Sequence, residues 1–248
     1  FRKGNYAVHF IQFNISKAPF NNIKAREAVS YALDLNDIVN SVYMGVGEIA
    51  TSPISPRAKY SIASEIEPKT RDIEKAKALL AEAGVPEGTE ILFYVNDNQQ
   101  RQDVATIVQA QLKEAGLNVK VEKFEWGAYM DTLRRKEEDM YIMSWSPSIV
   151  DPDQYLYSPF HSDKAGQGPN FGMYQNPEVD ALINEGLLTV DDAKRAEIYR
   201  KAQEIILNDI PRIDIWYGEQ VYGANKIVNN FKMLPEYAQV FKTVTFGE

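Results

Sequence analysis

The sequence has no cysteine and two histidines in 248 residues. Disulfides, thiolate nucleophiles and cysteine metal sites are therefore excluded, and so is a multi-histidine zinc site. A missing cysteine does not reveal the redox compartment. Positive charge is also short: 27 Lys and Arg against 35 Asp and Glu leave a formal net charge of -8. A surface of that sign repels phosphate backbones, which argues against nucleic acid as a partner. No stretch approaches the roughly 20 apolar residues of a membrane-spanning helix. No basic, apolar leader is present, so any export signal is expected upstream of Phe1. The patterns GxSxG, HExxH and GxGxxG and the Walker loop are all missing, so no cofactor and no metal is expected.

What remains is ordinary globular composition patterned as alternating strands and helices. Ala7 to Ile15 reads as a strand. A helix follows from near Ile23, with Ala25, Ala28, Val29 and Ala32 at helical spacing, and a second spans Asp34 to Met44. Thr51 to Thr70 has no period and reads as a long surface loop. Asp72 to Ala83 is a helix closed by Gly84. Glu90 to Val95, Asp103 to Ala115 and Leu117 to Phe124 form strand, helix and strand, a βαβ unit whose crossover is right-handed. A short helix at Trp126 to Lys136 and a strand at Met140 to Ser144 come next. Ser146 to Phe171, rich in proline and aromatics, reads as a second long loop, of the kind that carries function. Helices at Pro177 to Leu188 and Asp191 to Asn208, strands at Ile213 to Tyr217 and Gln220 to Ala224, and an extended tail complete the chain. The fold class is α/β with a mixed sheet flanked by helices. No linker between two full domains is visible.

Six segments in order carry a family resemblance: FNISKAPFNNIKAREAVSYALDLNDIV (13–39), DIEKAKALLAEAG (72–84), VQAQLKEAGLNVKVEKFEWGAYMDTL (108–133), SWSPSIVDPDQYL (144–156), NPEVDALI (176–183) and AEIYRKAQEIILNDIPRIDIW (196–216). Together they resemble the peptide/opine/nickel-binding family of ABC-importer solute-binding proteins, solute-binding family 5. The resemblance implies a periplasmic-binding-protein-like type II lobe at 1–234, with a tail at 235–248 returning toward an N-terminal lobe that this chain lacks. It also implies an extracytoplasmic protein with a peptide or peptide-like solute and membrane permease subunits as partners, closing about a hinge on its solute.

The family places an aromatic against the ligand where Trp145 stands, although a core tryptophan under the loop would look the same. Many peptide-binding members carry an Asp for the ligand's amine at the position of Ser148. Its absence raises glutathione as an alternative, because glutathione-binding members share the Trp-Ser-x-Ser pattern. Asp151 and Asp153 are implied to brace the loop. Trp126 is either a pocket wall or a plug at a helix start. Asn96 and Arg101 follow a strand end, where ligands bind in open α/β sheets; Arg101 is either a carboxylate partner or a solvated helix-start residue. Asn170, Phe171 and Tyr174 would form a polar-aromatic rim. His161 reads as a surface loop residue, Arg26 and Glu27 as ion-pairing helix residues, and Arg134 to Asp139 as a solvated helix end. Two other classes compete: a hydrolase using two carboxylates, which requires a buried acid of raised pKa facing a cleft, and a stand-alone interaction module with a closed apolar interface.

Overall fold

Every helix longer than one turn begins on a side chain that accepts from its own first amides. Asn22 caps α1 (Ile23–Ala32), Asp34 caps α2 (Leu35–Tyr43), Asp72 caps α3 (Ile73–Glu82) and Asn98 caps α4 (Gln99–Glu114). Glu125 caps α5 (Trp126–Arg135), Asp151 caps α6 (Pro152–Phe160), Asn176 caps α7 (Pro177–Leu188) and Asp191 caps α8 (Asp192–Asp209). Each cap satisfies donors that the helix cannot pair internally and fixes where the chain turns. The computed structural model describes residues 1–234 and 241–247.

The strands are β1 (Arg2–Phe13), β2 (Glu48–Ile49), β3 (Glu90–Asn96), β4 (Asn118–Phe124), β5 (Met140–Trp145), β6 (Arg212–Val221), β7 (Val228–Asn229) and β8 (Thr245–Phe246). The first six form one mixed sheet in the order β2-β6-β1-β5-β3-β4, and β7 pairs with β8. β3 runs parallel to β4 and β5, whereas β1 runs antiparallel to both β5 and β6. Successive residues along a strand face opposite sides. Ile11, Phe13, Phe93, Val95 and Ile142 accordingly pack with α1 to α4, while Phe10, Tyr94, Tyr141 and Met143 pack with α5 and Phe171. The sequence predicts the βαβ unit, and β3, α4 and β4 form it.

Several boundaries differ from the sequence reading. β1 starts five residues before Ala7, and α4 starts four before Asp103, because Asn98 rather than an apolar position sets its end. The two strands expected after Pro211 are one, Arg212–Val221. The stretch from Ser146 to Phe171 is not one loop. It contains α6, with Pro152 in its first turn, where a proline costs no hydrogen bond, and Pro159 near its end. The proposed division at 234/235 opens onto residues 235–240, which lie outside the described residues.

Arg26 is buried rather than a surface ion pair. Its guanidinium donates to the carbonyls of Phe20, Asp209 and Ile210, closing the C-terminal end of α8 against α1. Within the run expected to be a solvated helix end, Glu138 is fully buried, and neither carboxylate oxygen has a partner among the described residues. Burial, with Asp139 adjacent, pushes its carboxyl up to about 8. The unfolded chain gives up this proton in the ordinary carboxylate range and the folded one only near pH 8. Its contribution is therefore complete below about pH 4.5 and lost as pH rises through 8. Glu138→Gln cannot ionise. In urea titrations at pH 5 and pH 8, we expect the variant to lose about 3 kcal/mol less stability between the two than the parent does.

Candidate functional site

Because β3, β4 and β5 are parallel, their carboxyl ends meet along one edge of the sheet and bring Asn96, Phe124 and Trp145 together. In open α/β sheets this is the edge at which ligands bind. Antiparallel β1 adds its first half there, with Val8 opposite Trp145 and His9 opposite Ser144.

Arg101, in the first turn of α4, ties this edge together. Its Nη1 donates to Asn96 Oδ1 at 3.1 Å and its Nη2 to Ser144 Oγ at 3.0 Å. Its guanidinium stands 5.9 Å from the Trp126 ring centroid, within the range of a cation–π contact. Arg101 is therefore half-buried, not a solvated helix-start residue. Trp126 is 46% exposed at the start of α5, so it does not plug the helix. Trp145 is half-buried: it packs against the cluster that contains Phe10, Tyr129 and Met143, and its Nε1 donates to the Gln154 carbonyl at 2.7 Å. Ser148 and Ile149 are exposed on the turn that follows.

Asp151 anchors that turn. It caps α6 by accepting from Asp153 N–H at 3.0 Å, and its two oxygens accept from Arg195 Nη1 and Nη2 at 2.9 and 2.8 Å. This bidentate pair reaches across to α8, so the bracing extends beyond the loop itself. Arg195 also donates through Nε to the Gly186 carbonyl and lies over the Tyr199 ring. Asp153 does not brace. Its Oδ1 is buried without a partner among the described residues, and burial together with neighbouring Asp151 raises its pKa.

The expected rim at Asn170, Phe171 and Tyr174 is not formed, because all three are buried. Asn170 bonds both the N–H and the carbonyl of Tyr174, Phe171 packs edge-on to Tyr141, and the Tyr174 hydroxyl donates to Asp209 Oδ2 at 2.6 Å. They fold the segment onto itself. His161 is buried as well. It accepts from Asp163 N–H through Nδ1 and stacks on Tyr157.

Sequence reasoning missed an aromatic stack near Arg101. Tyr43 lies flat on Trp216 at 3.9 Å between centroids, and His9 meets Trp216 at 4.5 Å. Burial, with Arg101 nearby, pushes the His9 imidazole down to about 3, so it is neutral at physiological pH. Its signal was its place in β1, two residues before Ile11 and so on the same face. Three carboxylates around the edge are engaged: Glu125 caps α5, Asp97 accepts from Asn96 and Asp151 pairs with Arg195. Glu138, the acid of strongly raised pKa, precedes β5 and so lies at the opposite end of the sheet. No cluster of three or more His, Asp or Glu side chains able to hold a metal occurs among the described residues.

The edge offers an open indole, a half-buried indole, a guanidinium and hydroxyls. A family profile described as "Bacterial extracellular solute-binding proteins, family 5 Middle" matches residues 1–167. The chain belongs to this family. It is 36% identical over 215 residues to heme-binding protein A of Haemophilus influenzae, covering 84% of this chain and 39% of that protein. It is 28% identical to di/tripeptide-binding protein 1 of Pseudomonas aeruginosa, covering 99% and 46%. The structure of HbpA2 from Haemophilus parasuis superposes with a TM-score of 0.89 at 28% identity, covering all of this chain and 50% of that one. This family 5 chain thus spans about half the length of the relatives it matches.

The Asp151 anchor makes a graded prediction. Asp151→Ala removes both the cap and the ion pair and leaves Arg195 without its carboxylate, so urea unfolding should show a loss of about 3 kcal/mol. Asp151→Asn keeps the cap and should cost about half as much.

Proposed function

We propose that this chain is one wall of the solute site in an ABC-importer binding protein that captures oligopeptides or peptide-like solutes between two lobes. The observation that carries the reading is the sheet edge where Trp126, Trp145 and Arg101 stand at the carboxyl ends of parallel strands, with Ser148 exposed on the turn that follows. Indole faces cover peptide groups at low entropy cost. Arg101, presented beside hydroxyl and amide groups, suits a carboxylate or a carbonyl. The protein would work outside the cytoplasm. Solute bound to both lobes would favour the closed state by its differential affinity, and permease subunits would read that state. Aromatic faces and hydrogen-bonding groups of this kind support a binding role.

A second reading within the family is glutathione or another small solute lacking a free-amine anchor. It is favoured by Ser148, exposed and uncharged, and by the engagement of the surrounding carboxylates. Calorimetry of the two-lobe protein separates the readings. Ser148→Asp should improve binding of free-amine peptides over their N-acetylated forms by about tenfold, since it supplies a partly desolvated charge partner. The 248-residue chain alone should bind either class only at millimolar concentrations, because half of the enclosing surface is missing. Micromolar binding by the isolated chain would place the whole site within it.

A further inference from the structure

β6 is covered unevenly along its outer edge. On that side β2 pairs only with Trp216 and Tyr217, and Ala50 N–H reaches Ile215 O at 3.1 Å. Beyond Ile215, toward the strand's beginning, no strand among the described residues pairs with β6 there. The register fixes what that edge presents. Phe13 N–H donates to Pro211 O, so Phe13 and Pro211 form a bonded pair with β1. Bonded and non-bonded pairs alternate in an antiparallel ladder. Arg212, opposite Gln12, and Asp214, opposite Phe10, therefore stand at non-bonded positions. The N–H and C=O of Arg212 and the N–H of Asp214 point away from β1.

These groups face a cavity of about 700 Å³ in line with β2. Ile23 of α1, Leu35 of α2, Leu207 of α8 and Ile213 of β6 line it, together with the irregular segment around Ile66 and charged side chains such as Glu27 and Lys69. The volume falls within the roughly 300–1,000 Å³ of ligand pockets. It lies toward the opposite end of β6 from the edge that holds Trp145.

We propose that this cavity takes an extended peptide segment, which adds to β6 as a strand continuing the line of β2. A purely apolar molecule would fill the walls but strand the outward N–H and C=O groups, at about 1–3 kcal/mol for each group left unpaired. An extended peptide supplies alternating donors and acceptors at the right spacing. Its side chains, alternating in direction, meet the apolar part of the lining, Ile23, Leu35 and Leu207. The site is separate from the proposed solute edge.

The test is amide NMR of the isotopically labelled 248-residue protein titrated with acetyl-Thr-Val-Thr-Val-amide. The expected result is a shift of the Arg212 and Asp214 amides, with hydrogen exchange there slowed about tenfold when free peptide reaches ten times its dissociation constant. Leu207→Trp, which fills the cavity, should abolish both effects, as should N-methylation of the peptide's strand-facing amides. Shifts that survive N-methylation would overturn strand addition. An unperturbed Arg212 and Asp214 at 10 mM peptide, whether or not Trp126 and Trp145 respond, would overturn the site, and their response separately reports the solute edge.

Discussion

The antiparallel pairing of β1 with β5 controls the placement of the other groups. Val8 stands opposite Trp145 and Phe13 opposite Met140. β1 is hydrogen-bonded on both edges, so it joins the parallel half of the sheet, β5-β3-β4, to the antiparallel half, β1-β6-β2. A one-residue slip would exchange the faces of every side chain on the strand. It would turn Ile11 and Phe13 out of the core beneath α1 to α4 and bury His9 on the wrong side. The core resists this, and by resisting it holds Ser144 and His9 beside Arg101. Packing energy thus positions polar groups that contribute little packing energy themselves.

The edge proposed to meet solute is then held from two sides. Arg101 draws the end of β3 to the end of β5 through Asn96 and Ser144. Asp151 and Arg195 fix the turn after Trp145 to α8, 44 residues further along the chain. Between these anchors Trp126 remains open, while Trp145 is pinned through its Nε1. A rigid frame with an exposed aromatic lowers the ordering cost of binding, in keeping with the proposed role of this edge.

Much of this fold was legible because its strands and helices carry clear apolar periods. The βαβ unit shows this best: Ile91, Phe93 and Val95, then Val104, Val108 and Leu112, then Val119 mark the two strands and the helix between them. Periods failed where caps decide. The polar first turn of α4 and the nine-residue α6, with two prolines, carry little hydrophobic signal, although Asn98 and Asp151-Pro152 are capping signatures. Trp145, Trp126, Asn96 and Arg101, singled out by motif and by strand-end position, lie on one edge of the sheet, and their contact with solute is the proposal made above. The sequence was illegible where burial depends on how a loop packs upon itself. Asn170, Phe171 and Tyr174 resemble a rim in sequence and are interior in space. The Arg195 partner of Asp151 and the His9–Trp216–Tyr43 stack are long-range contacts that no local pattern encodes.

The central claim is that solutes meet the edge formed by Trp126 and Trp145. The chain has only three tryptophans, so three fluorotryptophan resonances report on it directly. In a titration with a dipeptide to 10 mM, the account predicts that the Trp126 and Trp145 signals move together along one binding curve. Trp216, stacked under Tyr43 and bonded to the Val46 carbonyl, stays fixed. Movement of Trp216 alone, or no movement at Trp126 and Trp145, would contradict it.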